Sequence, residues 1–171
     1  MNIRLMKIKD IVKVRELEIS CIKEYFSSIL ENKWESLPQQ WKDDLGASSN
    51  KSFKIYLESG LSFVAEEDEE IMGFIFAQML HHVNNAENLV WIENMGVHPY
   101  LRRNGIGYKL LRTTVDEGVR QGATVVHSSI QPSNVPSIML HKKFGFFMDR
   151  REVALYDCSS IKAKPHFETV T

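Results

Sequence analysis

The hydrophobic pattern changes period several times along this chain. Ile3-Arg4-Leu5 alternates, which predicts an opening strand. From Asp10, apolar residues at Ile11, Val14, Leu17, Cys21, Ile22, Tyr25 and Phe26 recur at helical spacing, with Asp10 placed to cap the helix. Ser27 to Asn50 carries Trp34, Pro38 and Trp41 among charged residues and predicts a second short helix after Pro38. Phe53, Tyr56 and Leu57 continue a helical pattern to Gly60. Leu61 to Ala65 and Ile71 to Ala77 read as strands joined by a hairpin through Glu66 to Glu70. A polar loop from His81 to Asn88 leads into the strand Leu89 to Val97. A helix from Gly105 puts Leu110, Leu111, Val115 and Val119 on one face and stops near Gly122. Thr124 to Ser129 is β-branched and strand-like. A helix over Pro136 to Phe144, ended by Gly145, precedes closing antiparallel strands at Phe146-Phe147 and Glu152 to Tyr156.

The resulting order, β-α-α-β-β-β-α-β-α-β, predicts an α+β layer structure: one domain over residues 1–158 and a polar tail over 159–171. At 171 residues, 43% hydrophobic and 25% charged, the chain has enough apolar material for a full core. A net charge of -1 gives no support for a nucleic-acid partner. Met1 to Asp10 mixes Arg4, Lys7, Lys9 and Asp10 with apolar residues and has no signal-peptide core. The longest apolar stretch, Ile71 to Leu80, contains Gly73 and Gln78 and suits a buried strand better than a membrane span. Cys21 and Cys158 leave a pairing open but show no framework or zinc spacing, and reduced cytoplasmic thiols fit them better. No metal is expected: His81-His82 lacks further ligands at fixed spacing.

Chemistry concentrates after Val97. His98-Pro99-Tyr100-Leu101 leads into the basic, glycine-punctuated loop Arg102-Arg103-Asn104-Gly105-Ile106-Gly107-Tyr108, which opens a helix. Such a loop presents backbone N–H groups at a helix N-terminus, a ready anion site, with Arg102 and Arg103 adding positive charge. A tight turn with a solvated basic patch is the plainer alternative. The spacing Arg-x-x-Gly-x-Gly after Val-x-Pro resembles the acetyl-CoA loop of the GCN5-related N-acetyltransferases (GNAT family). The stretch Asn134 to Phe146 resembles that family's Asn-x-x-Ala-x-x-Leu-Tyr-x-Lys-x-Gly-Phe, with Ser137 for alanine and His141 for tyrosine.

The resemblance spans roughly residues 2–157, its specific motifs only Glu93 to Phe146. It implies a mixed, mostly antiparallel sheet that splays between its fourth and fifth strands, with helices on both faces. The amides of Arg103 to Tyr108 would hold the pyrophosphate of acetyl-CoA. Main-chain groups of Met95 and Val97 would hold the pantetheine arm, and Asn134 its amides. Gly96 would ease a β-bulge that aims an N–H at the thioester carbonyl, or would simply relieve crowding.

Glu93, in an apolar strand, is the candidate general base. Alternation places it on the face of Met95 and Val97, where partial desolvation would raise its pKa; a carboxylate merely paired with a neighbour is the alternative. His141 stands where the family's tyrosine protonates the departing thiolate; it could be that acid, a hydrogen-bonding neighbour of the sulfur, or a packing residue. Trp34 and Trp41 line an acceptor pocket or pack beneath a short helix.

The expected activity is acetyl transfer from acetyl-CoA to a primary amine by direct attack in a ternary complex. A catalytically silent acyl-CoA-binding sensor on the same fold is the alternative. The acceptor, a small molecule or a peptide, is not specified by the sequence, and the oligomeric state is open, a homodimer included.

Overall fold

The structure, a computed structural model, describes residues 1–29 and 34–149. Ten elements follow in order: β1 (Asn2–Leu5), α1 (Ile11–Ile29), α2 (Gln39–Asp44), α3 (Phe53–Glu58), β2 (Phe63–Glu67), β3 (Glu70–Val83), β4 (Ala86–Val97), α4 (Ile106–Arg120), β5 (Val125–Ser128) and α5 (Val135–Phe144). Three helices, where the expected order had two, lie between β1 and β2. The second of the closing strands, over 152–156, lies outside the described residues, and residues 146–149 have no regular secondary structure.

The sheet runs β1-β2-β3-β4-β5 among the described residues, antiparallel except for β4 and β5. Alternation along β2 and β3 divides the core into two layers. Phe63, Ala65, Ile75 and Ala77 pack with Val90 and Ile92 against Ile106, Leu110 and Leu111 of α4. Val64, Phe74 and Phe76 pack on the opposite face against Val14 and Leu17 of α1 and Phe53 and Tyr56 of α3. Helices therefore cover both faces, as the resemblance implied. Among the described residues no helix is long and apolar enough to cross a membrane.

Several details differ from the sequence reading. The polar loop His81 to Asn88 is instead the end of a long hairpin that turns at Asn84-Asn85, both with positive φ of 51° and 61°. That is the geometry a two-residue reverse hairpin demands, and asparagine tolerates it. Asp10 ends a 3-10 turn ahead of α1, where its carboxylate accepts from the Lys7 amide at 2.8 Å and takes a bidentate pair from Arg4. Val119 is exposed; the buried face of α4 is Ile106, Leu110, Leu111, Thr114 and Gly118.

Two features position the site. The parallel β4–β5 pairing ends at Ile92 with Ser128, so the last part of β4, Glu93 to Val97, runs on without a β5 neighbour. The two strands therefore part at this point. The β3–β4 register also slips, with Phe76 opposite Asn94 and Ala77 opposite Ile92. Glu93 is thus the extra residue of a β-bulge.

Candidate active site

The bulge resets the faces of β4. Upstream, Val90 and Ile92 face α4; downstream, Met95 and Val97 pack against that same layer. Glu93 and Asn94 share the opposite face, where Asn94 reaches α1 and Glu93 meets Trp91 and Tyr56. The expectation that Glu93 shares a face with Met95 and Val97 is therefore overturned, because strict alternation fails across an inserted residue. The bulge expected at Gly96 lies at Glu93 instead. Gly96 answers crowding: a Cβ there would fall 2.7 Å from the Phe74 ring and 2.9 Å from the Cys21 sulfur.

Glu93 is exposed, not enclosed. Its Oε2 accepts the indole N–H of Trp91 at 2.6 Å. Tyr56 stands beside it, and burial together with the Glu93 charge pushes the phenol's pKa above its ordinary value. The carboxylate thus sits exposed between Trp91 and Tyr56, just past the point where β4 and β5 part.

On the other face, the loop after Val97 enters α4 through left-handed residues Arg103 (φ 68°) and Gly105 (φ 79°). No side chain caps α4, and its first intrahelical bond joins the Lys109 amide to the Gly105 carbonyl. The amides of Ile106, Gly107 and Tyr108 precede that bond and point out of the helix start. A Cβ at Gly105 would meet nothing within 4 Å, so conformation rather than crowding selects glycine there. A Cβ at Gly107 would meet Leu140, Met95 and Val97 at 3.4–3.7 Å, ordinary contact distances.

Arg102 does less for an anion than its place in the loop suggested. Its guanidinium forms a bidentate pair with Glu24 of α1, at 2.7 and 2.6 Å, and its Nε donates to the Val97 carbonyl at 3.1 Å. Arg102 therefore ties α1 to the end of β4, while Arg103 and Asn104 are exposed at the loop tip. The Glu24 bond raises the Arg102 pKa, so the pair stays charged.

Asn134 caps α5, accepting the Ser137 amide at 3.2 Å through its side-chain oxygen. His141 is 1% exposed. Its Nδ1 lies 2.8 Å from the Ser137 carbonyl, which fixes the proton there, and its ring meets Phe146 edge-on at 4.9 Å. Nε2 is left without a partner among the described residues. Burial lowers the His141 pKa, which keeps the ring neutral at pH 7. Trp34 is buried, with the Lys23 and Lys42 ammonium groups 6.0 and 5.7 Å from its ring, while Trp41 is half exposed.

One residue that the sequence marks only by its position organises the α1 side of β4. Glu18 of α1, fully buried, accepts the backbone amides of Ala47 and Ser48 at 2.9 Å each, the Ser48 hydroxyl, and the Asn94 side-chain amide at 2.8 Å. The hint available was position: Glu18 falls within the apolar stripe of Val14, Leu17 and Cys21, whereas Glu16 lies off it and is exposed.

Comparison with known proteins agrees with this architecture. A family model described as "Protein of unknown function (DUF1999)" matches residues 1–169. The chain is 30% identical over 88 residues to an aminoglycoside N(6')-acetyltransferase type 1 of Salmonella typhimurium strain LT2, covering 50% of this chain and 61% of that protein. It is 33% identical over 92 residues to an N-alpha-acetyltransferase of Sulfurisphaera tokodaii, covering 49% of this chain and 54% of that protein. The chain thus spans less than two thirds of these curated relatives. The solved structure of AAC(6')-Iy in complex with the bisubstrate analogue CoA-S-monomethyl-acetylneamine superposes with a TM-score of 0.66 at 24% identity, over 91% of this chain and 96% of that one. The fold is that of the GNAT acetyltransferases.

Proposed function

The chain belongs to the family described as "Protein of unknown function (DUF1999)", and from its GNAT fold we propose that it transfers an acetyl group from acetyl-CoA to a primary amine. The observation that carries this reading is the meeting of two features. β4 runs past its last β5 pair at Ile92 and leads directly to an uncapped helix N-terminus. An extended thioester arm fits along the edge of Met95, Gly96 and Val97 that faces away from β3 and lacks a β5 neighbour. Its pyrophosphate fits the amides of Ile106 to Tyr108, with Arg103 and Asn104 at the rim and Asn134 across the opening. The similarity to acetyltransferases over half the chain supports the same chemistry.

The amine enters from the opposite face of β4, where Glu93 lies. It arrives as an ammonium, and Glu93 accepts its proton directly or through water. The neutral amine attacks the thioester carbonyl, the nitrogen gives up its second proton to solvent as the tetrahedral intermediate collapses, and the CoA thiolate departs. No covalent enzyme intermediate forms, and juxtaposition of the two substrates supplies much of the acceleration. In this reading His141 is not the acid that protonates the thiolate: its Nδ1 is engaged with the Ser137 carbonyl, burial lowers its pKa, and its Nε2 has no partner among the described residues. The thiolate leaves unaided.

A second reading is a silent acyl-CoA-binding module, and the same bare Nε2 favours it. Thiol release from acetyl-CoA against a panel of polyamines, aminoglycosides, peptide N-termini and lysine peptides separates the two. Amine-dependent release with matching acetylated product is expected; CoA binding without release on any amine would establish the silent module.

A further inference from the structure

We propose that Glu18 is a positioning residue that locks the 46–48 loop to the β4 bulge and so fixes Glu93 on the amine side of the opening; this rests on the acetyl-transfer reading above. A fully buried carboxylate is tolerated only when donors surround it. Glu18 has four, drawn from two other parts of the chain: the Ala47 and Ser48 amides and the Ser48 hydroxyl from the loop, and Asn94 from β4. Gly46 is shaped to this arrangement. Its φ is 84°, and a Cβ there would stand 2.7 Å from the Glu18 carboxyl carbon.

Asn94 directly follows Glu93, and both lie on the same face because of the bulge. A bulge is one register among several that β4 could adopt against β3, since one residue more or less moves every side chain to the other face. Apolar packing does not choose among them at Asn94, because an amide gains nothing from apolar contact. A carboxylate oxygen 2.8 Å from the Asn94 amide does choose, since any slip leaves a buried charge short of a donor. The loop bonds hold the carboxylate in turn. Three segments therefore share one geometric reference, and Glu93 is placed by it without touching it.

The test combines residue-resolved amide exchange with steady-state kinetics on the full chain. In Glu18→Gln, one face of the side chain presents N–H to donors. The Ala47 and Ser48 amides should then exchange at least about tenfold faster, the scale of losing a hydrogen bond to a charged group. The Leu110 and Leu111 amides of α4 should keep their wild-type rates. Uniform acceleration through α4 would reduce Glu18 to a general stabiliser and overturn the proposal.

Asn94→Ala is milder and keeps the loop bonds. It should accelerate exchange at Glu93 and Met95, raise the amine KM or lower kcat by about fivefold or more, and leave the acetyl-CoA KM within about twofold. Equal shifts for both substrates, or none for the amine, would also overturn it. Should the wild-type chain acetylate no amine, the functional reading falls. The exchange rates at Glu93 and Met95 then decide the positioning role: acceleration supports it and wild-type rates refute it.

Discussion

The two faces of β4 are built from different materials. The α4 side uses main chain: left-handed residues at Arg103 and Gly105, an uncapped helix start, and a strand end with no β5 neighbour. The α1 side uses side chains: the Glu18 carboxylate with its four donors, and Glu93 between Trp91 and Tyr56. Main-chain recognition suits a ligand whose shared part is a phosphate-bearing arm, because amides are present in any sequence. Side-chain recognition can be changed one residue at a time. On the proposed reading, the α4 face is a generic half-site and the α1 face an adjustable one.

The widest gap between the faces should appear in two glycines with the same backbone sign. Gly46→Val forces a β-branched residue into a left-handed conformation and onto the Glu18 carboxylate. It should cost about 3–4 kcal/mol of stability by denaturant unfolding. Gly105→Val meets only open space and should cost about 1–2 kcal/mol, so equal losses would break the comparison. Gly105→Val alone should weaken CoA binding by calorimetry at least about tenfold while the fold persists.

Glu93→Gln probes the adjustable side. Turnover at pH 7 should fall about tenfold to a hundredfold and recover partly at high pH, where the amine is already neutral. A deficit that does not change with pH would assign Glu93 to binding alone.

His141 gives a smaller, pH-dependent effect. Burial lowers its folded pKa below the ordinary 6.5, so the unfolded chain binds more protons and stability rises with pH. The contribution is complete above about 6.5 and is lost as pH falls toward the folded value. His141→Phe should flatten that acid-side slope, and an unchanged slope would place the titrating group elsewhere. Arg102→Ala should do least. Its pair with Glu24 is half exposed, so about 0.5 kcal/mol of salt-sensitive stability is expected to go, with CoA affinity falling less than about fivefold.

What could be read from the sequence follows the same division. Gly105, Gly122, Asn134, Pro136 and Gly145 marked real helix boundaries, because caps and left-handed turns restrict residue type locally. The sequence pattern shortens the β3–β4 hairpin because its end, from His81 to Asn88, carries mostly polar residues that lie exposed beyond the core. The bulge left no mark in composition, since Glu93 and Asn94 look like any polar pair ending an apolar run. Glu18 resembled its exposed neighbour Glu16, and its partners Ala47, Ser48 and Asn94 lie far along the chain. The cofactor motifs were visible because backbone geometry restricts them one by one. The amine side was not, because its constraints arise only between distant segments.

The bulge at Glu93 also bears on how this protein can change. It works as a phase break: everything before it and everything after it stays in step with α4, while two consecutive positions, 93 and 94, face away together. A side chain at position 93 faces away from the packing of Val90, Ile92, Met95 and Val97, whereas Asn94 is tied to Glu18 and holds the register. On the acetyl-transfer reading proposed above, these two positions hold the base and the residue that places it, so change on this face falls to neighbours such as Trp91 while the α4 face is inherited intact.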